Sequence, residues 1–290
     1  MNAGIATAAS IVPGDVPAGA AAGTAIGVFD SGVGGLTVLR ALRAAMPAEH
    51  FVYLGDTARL PYGTKSAQTV VRYSLQCADA LLRRGIRCLV VACNTASASA
   101  LDALRAQHPA LPVIGVIEPG AEAAVAASVS QRIAVIATEG TIDGGAYQRA
   151  IRRLSGSARI TARACSLFVA MAEEGWTEGP IAEAVARRYL DPIFMQDDPP
   201  DTLVLGCTHF PVLATAIRAV LPPSVRLVDS AATTAAEVLR RLGSERAPAV
   251  DGPAGSVTWL ATDSAARFAR VGGTFLGQAL RADAVQIIDL

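Results

Sequence analysis

Two matching stretches set the organisation of this chain: Leu89-Val90-Val91-Ala92-Cys93-Asn94-Thr95-Ala96 and Leu203-Val204-Leu205-Gly206-Cys207-Thr208-His209-Phe210. Each begins with a short aliphatic run without polar alternation, which is typical of a β-strand covered on both faces. Each then continues into a cysteine, followed by two hydrogen-bonding residues, at a point where the pattern predicts that a helix begins. A thiol at such a turn lies near the positive end of the helix, which favours the thiolate.

The same alternation of strand and helix extends through the rest of the chain. The predicted strands are brief β-branched or aliphatic runs at residues 26–29, 51–54, 88–91, 113–116, 133–137, 160–164, 202–205, 226–228 and 257–260. Helical spacing of Ala, Leu and Arg is clear at residues 67–84, 95–107 and 181–190. This pattern predicts an α/β protein with mainly parallel sheets.

A weak internal repeat divides the chain into two similar α/β units. Ile26-Gly27-Val28-Phe29-Asp30-Ser31 resembles Ile133-Ala134-Val135-Ile136-Ala137-Thr138, and in each half a strand that ends in a cysteine follows. Ligands of open α/β sheets bind beyond the carboxyl ends of the strands, so we expect these motifs to converge on one cleft between the units. Two thiols facing one ligand from opposite sides can remove a proton from one face of a carbon and return one to the other.

Composition narrows the class of protein. The chain has 290 residues, 52% of them hydrophobic and 17% charged, which suffices for one or two globular domains. Its formal net charge is zero, so neither nucleic acid nor an anionic membrane is expected as the main partner. The apolar runs are too short or too interrupted by Gly and Pro to span a bilayer.

The cysteines, histidines and N-terminal residues indicate a cytoplasmic protein without a metal. Five cysteines are an odd number without a C-x-x-C pair, which favours free thiols in a reducing compartment. The three histidines show no zinc-type spacing. Residues 1–24 are rich in Ala, Gly and Pro and lack the basic and apolar regions of a secretory signal, so we predict a disordered extension.

The glycine-rich turn Asp30-Ser31-Gly32-Val33-Gly34-Gly35 follows the first strand and opens a helix. Glycines there let an anion approach the helix N–H groups, but the dinucleotide pattern G-x-G-x-x-G fails because its last position is Thr37. The Asp30 carboxylate repels phosphate and suits an amino group or a thiol partner. A tight turn without a ligand is the alternative interpretation.

Other motifs have an ordinary structural interpretation when each is taken alone. Pro61-Tyr62-Gly63-Thr64-Lys65 reads as a surface turn. His209 is as typical of a surface or helix-capping histidine as of a functional one. Glu173 is typical of a surface acid near the end of a helix. Free cysteines usually pack in a core, which is our interpretation for Cys77, Cys88 and Cys165.

Taken together, the motifs resemble those of bacterial glutamate racemases. The opening signature is Gly27-Val28-Phe29-Asp30-Ser31-Gly32-Val33-Gly34-Gly35-Leu36-Thr37. Later signatures follow in the family's order: Gly55-Asp56-Thr57, Pro61-Tyr62-Gly63, Ala92-Cys93-Asn94-Thr95-Ala96, Gly115-Val116-Ile117-Glu118-Pro119-Gly120 and Gly206-Cys207-Thr208-His209-Phe210-Pro211. The resemblance extends from Ile26 to the helix after Ser230.

The resemblance implies a cofactor-independent enzyme that interconverts L- and D-glutamate and supplies D-glutamate for peptidoglycan. Cys93 and Cys207 correspond to the family's acid/base pair, with Asp30 assisting the first and His209 the second. The residues that correspond to substrate-binding positions are Asp30, Ser31, Tyr62, Gly63, Asn94, Thr95, Thr138, Thr208 and His209. Glu173 matches a family acid near the cleft. The resemblance leaves a homodimer open.

Two features of this chain bear on the resemblance. Cys165-Ser166-Leu167-Phe168-Val169-Ala170 stands where the family often has Cys-Pro-x-Phe-Val-Pro, and losing both prolines is expected to loosen the loop before Glu173. The single lysine, Lys65, lies in a turn that lacks the setting of a Schiff-base lysine. An amino-acid racemase with this sequence is therefore expected to work without pyridoxal phosphate.

The predicted organisation is two similar α/β domains with mainly parallel sheets and the active site in the cleft between them. Residues 25–116 and 229–290 form the first domain in this prediction, and residues 117–228 the second. Three alternatives to glutamate racemisation stay open. They are a racemase of the same superfamily acting on aspartate or a hydantoin, a cysteine-nucleophile hydrolase or transferase, and a binding protein without catalysis.

Overall fold

The computed structural model describes residues 25–243 and 255–290, and the predicted N-terminal extension lies outside these ranges. Six parallel strands form one sheet in the order β10-β9-β2-β1-β3-β4. They are β1 (Ala25–Asp30), β2 (Phe51–Gly55), β3 (Ile86–Val91), β4 (Val113–Gly115), β9 (Val257–Ala261) and β10 (Val285–Ile287). We call this part of the molecule the six-stranded half.

Four parallel strands form the second sheet, in the order β6-β5-β7-β8. They are β5 (Arg132–Ala137), β6 (Arg159–Ala164), β7 (Thr202–Gly206) and β8 (Arg226–Asp229). We call this part the four-stranded half. Every sequence-predicted strand is present in the structure within two residues at each end, and β10 is the strand that the prediction missed.

Helices connect the strands and cover both sheets. The α-helices are α1 (Leu36–Ala45), α2 (Ala67–Leu82), α3 (Asn94–Gln107), α4 (Ile117–Ala127), α5 (Glu139–Asp143), α6 (Ala146–Leu154), α7 (Leu167–Glu173), α8 (Pro180–Phe194), α9 (Ala214–Val220), α10 (Ser230–Leu242) and α11 (Ala265–Leu276). None of the helices within the described ranges is both long and apolar enough to cross a membrane.

The two halves share one topology. The first four strands are ordered β2-β1-β3-β4, and the next four are ordered β6-β5-β7-β8, so each unit repeats the same crossover. This order confirms the internal repeat inferred from the sequence. In each half the order in which strands are added to the sheet reverses between the first and third strands. Open α/β sheets bind ligands at such a point.

The strand pattern follows from burial. All residues of β1 and β7 are buried, and a strand covered on both faces by helices must be continuously apolar. The edge strand β6 lacks buried residues, and its alternating sequence Arg159-Ile160-Thr161-Ala162-Arg163-Ala164 reflects this position. The two sheets are compatible with the domain division at residues 116/117 and 228/229, which we keep as a proposal.

The second cysteine lies in a different local setting from the one the sequence predicts. Cys93 is followed directly by α3, but Cys207 is followed by a short 3₁₀ turn, Phe210–Leu213, and the next α-helix begins at Ala214. Pro211 contributes to the difference, because it has no backbone N–H to donate to the Cys207 carbonyl, whereas the Phe210 N–H makes the tighter bond to that carbonyl at 3.0 Å. The predicted strand-to-helix turn is therefore present at Cys207, but the helical segment that follows it begins as a 3₁₀ turn.

Candidate active site

The predicted site residues gather where the carboxyl ends of the two sheets face one another. Asp30 ends β1, and Cys93 follows β3 as the N-cap of α3. In the other half, Thr138 follows β5 as the N-cap of α5, and Cys207 follows β7. The two cysteines are close enough for the charge of Cys207 to raise the pKa of Cys93. The sequence repeat thus places the two thiols near one another where the carboxyl ends of the two sheets meet.

The local contacts of Cys93 favour a thiolate, but its burial does not. Its sulfur accepts a hydrogen bond from the Ala96 N–H at 3.4 Å and lies 3.6 Å from the Ser31 hydroxyl. Burial and the charge of Asp30 outweigh these contacts and raise the pKa of the thiol to about 12. At neutral pH its ionisation then costs about 7 kcal/mol, so Cys93 carries its proton.

Cys207 belongs to a chain of polar side chains. His209 Nδ1 lies 3.8 Å from the Cys207 sulfur, and His209 Nε2 donates to Glu173 Oε1 at 3.2 Å. Burial lowers the pKa of His209, but the hydrogen bonds to Cys207 and Glu173 and the charges of Cys207 and Asp30 together raise it to about 10. A protonated His209 can stabilise negative charge that develops on the Cys207 sulfur.

Glu173 does not occupy the surface position that its sequence context suggests. Its side chain is 13% exposed, and its second oxygen accepts a hydrogen bond from Arg267 at 2.7 Å. The hydrogen bond to His209 is the main cause that lowers the pKa of this carboxyl. The segment before it forms helix α7 without the two prolines that the family resemblance led us to expect there.

Hydroxyl groups join the two halves around the thiols. Thr95 Oγ1 lies 3.0 Å from Thr138 Oγ1 and 3.1 Å from Thr141 Oγ1, and the third side of this triangle is 3.1 Å. On the other side of the cleft, Thr37 Oγ1 donates to the Thr208 carbonyl at 3.1 Å. These contacts align the turn after β3 with the four-stranded half.

Two glycines allow the halves to approach so closely. A Cβ on Gly34 would overlap with the ring of His209, and a Cβ on Gly63 would lie 2.7 Å from that of Thr138. Both glycines therefore serve a close approach of backbone to side chain across the cleft. The opening turn is a docking surface for the His209 ring, a role that its spacing alone did not indicate.

Unsatisfied polar atoms lie among these residues. Asn94 is 3% exposed, and its Oδ1 accepts a hydrogen bond from Tyr147 at 2.8 Å. Among the described residues, its Nδ2 has no hydrogen-bond partner, and neither has Oδ1 of the fully buried Asp30. Buried polar atoms are rarely left without partners. One free donor and one free acceptor beside the thiols suit a ligand that carries both a carboxylate and an ammonium group.

Tyr62 is buried, and its hydroxyl donates to the carboxylate of Asp56. Asp56 also accepts hydrogen bonds from Arg59 at 2.7 Å and Thr262 at 2.9 Å. These bonds fix the turn that carries Gly63. The phenol of Tyr62 is therefore engaged within the six-stranded half.

Comparison with known proteins agrees with this arrangement. The family model described as Asp/Glu/Hydantoin racemase matches residues 26–238. The chain belongs to this racemase family. A glutamate racemase from Geobacter metallireducens is 52% identical over 256 residues, which is 87% of this chain and 93% of that protein.

Solved racemases share the fold. The glutamate racemase of Francisella tularensis, solved in complex with D-glutamate, has a TM-score of 0.83 at 34% identity, covering 92% of this chain and 98% of that one. An aspartate racemase homologue from Pyrococcus horikoshii has a TM-score of 0.56 at 16% identity, covering 77% and 100%. The second likeness shows the fold alone, whereas the first extends to the sequence of a glutamate racemase.

Sequence reasoning missed several residues that surround the site of this racemase. Thr37, Thr141, Tyr147 and Arg267 each contact a predicted site residue. Thr37 lies in the opening motif, where its hydroxyl is a usable signal. Tyr147 and Arg267 lie within helices outside every motif, so their contacts emerge only once the two halves are packed together.

Proposed function

We propose that this protein interconverts L- and D-glutamate by a two-base mechanism, with Cys93 and Cys207 on opposite faces of the substrate. The observation that carries the proposal is the pair of thiols, 5% and 6% exposed, at matching strand ends of two repeated sheets. One cysteine takes the α-proton as a thiolate, and the other gives a proton to the opposite face. The product D-glutamate supplies peptidoglycan synthesis.

The different surroundings of the two thiols give them different starting roles. Cys93 holds its proton because burial and Asp30 raise its pKa, so it is ready to act as the acid. Cys207 lies beside a protonated His209, which stabilises the thiolate that the base requires. In the opposite direction the roles exchange. An ammonium group near Asp30 and Cys93 then offsets part of the cost of ionising Cys93.

Substrate binding follows from the free hydrogen-bonding groups. Asn94 Nδ2 and the hydroxyls of Thr95, Thr138 and Thr208 are proposed to hold carboxylate oxygens, and Asp30 to face the ammonium group. Ser31 lies beside Cys93 and completes this set. Because the hydroxyl of Tyr62 is already bonded to Asp56, we assign the contribution of Tyr62 and Gly63 to their backbone N–H groups.

Developing charge on the α-carbon needs stabilisation by fixed dipoles. The hydroxyls and the Asn94 amide already lie in place at the ends of helices α3 and α5, so they do not need to reorganise during proton transfer. A carbanion-like transition state in a water-poor cleft gains more from such groups than it would in water. We propose that the chain's own residues supply this stabilisation.

Two assignments rest on the sequence. The five cysteines of the described residues are all free, which supports a reducing cytoplasm as the site of the reaction. The balanced charge supports a small-molecule substrate over nucleic acid or a membrane as the main partner. A homodimer stays open.

The test is exchange and inversion of glutamate in deuterium oxide, followed by proton NMR and circular dichroism. The unmodified protein is expected to replace the α-proton of both enantiomers with deuterium and to abolish optical activity. Cys93→Ser and Cys207→Ser are each expected to stop inversion. Each variant can still exchange the α-proton of one enantiomer with retention, and the enantiomer should differ between the two.

Cys88→Ser is the matched control, because Cys88 lies on β3, the strand that leads to Cys93, but packs in the core. It is expected to retain inversion in both directions. Full racemisation by either Cys93→Ser or Cys207→Ser would refute the two-thiol mechanism. Exchange of aspartate but not glutamate would favour the aspartate alternative, and a covalent adduct seen by mass spectrometry would favour a cysteine nucleophile.

A further inference from the structure

Arg267 connects the six-stranded half to the second thiol. It lies on α11, which packs against α1 and β10, whereas Glu173 ends α7 in the four-stranded half. The distance from Arg267 to Glu173 Oε2 is 2.7 Å. Glu173 Oε1 in turn accepts from His209, whose other ring nitrogen faces Cys207. One line of charged contacts thus leads from α11 to the sulfur that takes part in proton transfer.

A second residue of α11, Phe275, contacts His209 directly. The ring of Phe275 meets the ring of His209 edge-on, with 5.0 Å between the centroids and 72° between the planes. Phe275 is fully buried, whereas the Arg267 side chain is 49% exposed at the rim of the cleft. Helix α11 therefore contacts the imidazole directly through Phe275, and indirectly through Arg267 and the carboxylate of Glu173.

We propose that Arg267 is a positioning residue for the Cys207 side of the reaction, holding the Glu173 carboxylate so that it orients His209 toward Cys207. The proposal rests on the proposed racemisation. With both carboxylate oxygens engaged, Glu173 has one orientation, and the imidazole has one hydrogen-bond acceptor at Nε2. Without Arg267, the carboxylate can rotate toward solvent and release the ring.

The charges around these groups define what pH dependence to expect. Glu173 faces His209 and Arg267, with Asp263 on the wall of the same small cavity of about 40 Å³. His209 additionally faces Cys207 and Asp30. The hydrogen bond and charge of His209, and then those of Arg267, hold the pKa of Glu173 below its usual range. Removal of the Arg267 charge therefore raises this pKa, and the acid limb of the rate profile moves to higher pH.

The test compares Arg267→Met with Arg267→Lys, and with Arg270→Met as the matched control. Arg270 lies three residues further along α11, is exposed, and forms no ion pair with any residue in the described ranges. For Arg267→Met we expect kcat to fall about threefold to tenfold with KM within twofold, because a half-exposed pair is partly screened. Arg267→Lys should recover most of this loss, and Arg270→Met should match the unmodified protein.

A second measurement does not depend on turnover. The chain has three histidines, so the imidazole N–H resonances of His209 can be assigned by comparison with His209→Gln. In Arg267→Met we expect the Nε2 proton to exchange faster with water, because its acceptor is no longer fixed. Arg270→Met should leave it unchanged.

The outcomes separate the two proposals. Failure of the unmodified protein to racemise glutamate refutes the proposed function, while the His209 resonance still tests the role of Arg267. An unchanged resonance in Arg267→Met, or an unchanged kcat and acid limb, overturns the inference. Equal loss of activity in Arg267→Met and Arg267→Lys, with the resonance intact, also overturns it, because charge would then not be what matters.

Discussion

Gly34 offers a sharp test of how the two halves meet. Its ideal Cβ position lies 2.5 Å from both His209 Cε1 and Thr208 Oγ1, and it also overlaps with His209 Nδ1. An ordinary contact begins at 3.4 Å, so Gly34→Ala must push the imidazole away by about 0.9 Å. His209 is buried and contacts Glu173 and Phe275, so a displacement of its ring disturbs these contacts as well.

A displacement of that size falls on the group that faces the Cys207 sulfur. Misplacement of a catalytic group by about 1 Å costs about a hundredfold in rate, which corresponds to about 2.7 kcal/mol of transition-state stabilisation. We therefore expect kcat/KM of Gly34→Ala for glutamate to fall about a hundredfold. Overpacking of this kind also lowers the free energy of unfolding by about 1–3 kcal/mol.

Gly32→Ala in the same turn provides the control, because its Cβ would meet Leu60 at 3.4 Å, an ordinary contact. Racemisation followed by circular dichroism, with urea unfolding of each variant, separates loss of geometry from loss of folded protein. The reasoning fails if folded Gly34→Ala keeps kcat/KM within threefold of the unmodified protein. It also fails if Gly32→Ala loses as much activity as Gly34→Ala.

Two further predictions concern buried polar partners. Because the pKa of His209 is raised from 6.5 to about 10, its contribution to stability is fully present below pH 6.5 and is lost as pH rises through about 10. The free energies of unfolding of the unmodified protein and His209→Gln should therefore converge above about pH 10 in urea titrations, and a constant difference would contradict this. Tyr147→Phe removes the donor that lies 2.8 Å from Asn94 Oδ1, so we expect KM for glutamate to rise about threefold and the free energy of unfolding to fall by about 0.5–1.5 kcal/mol. Steady-state kinetics and denaturation check this, and an unchanged KM would show that Asn94 does not need the tyrosine.

The sequence predicts the strands well because burial dictates their composition. A fully buried strand such as β7, with the sequence Thr202-Leu203-Val204-Leu205-Gly206, leaves little choice of residue type. The missed strand β10 has three residues, two of them exposed, so it carries no apolar run to detect. Edge strands of this kind depend on their neighbour for their definition.

The site was predictable where its residues follow strands. Asp30, Cys93 and Cys207 end or follow strands, and the rule that ligands bind at the carboxyl ends brings them together. Glu173 and Arg267 lie at or within helices from different halves, and their pairing depends on how the halves pack. No local sequence pattern indicates that Glu173 and Arg267 lie close together. A surface position was therefore the natural interpretation of Glu173.

The pKa of Cys93 could not be deduced from its position at the helix N-terminus. Helix ends stabilise an anion by about 0.3–1 kcal/mol, or up to about 2 kcal/mol when partly buried. Burial works in the opposite direction and is larger, which raises the pKa to about 12. The sequence shows that Cys93 lies at a turn before a helix, but it does not show how deeply folding buries the thiol.

The unequal surroundings of the two thiols carry a consequence for the proposed reaction. L- and D-glutamate have the same free energy in water, so kcat/KM must be equal in the two directions whatever the electrostatics of the site. The site nevertheless keeps Cys93 protonated and places the imidazolium of His209 beside Cys207. Turnover in one direction leaves the proton on the other sulfur. The free enzyme must then return it before the next molecule of the same enantiomer binds. Asp30 and His209 interact electrostatically across the cleft, and they are the titratable groups through which that return can pass.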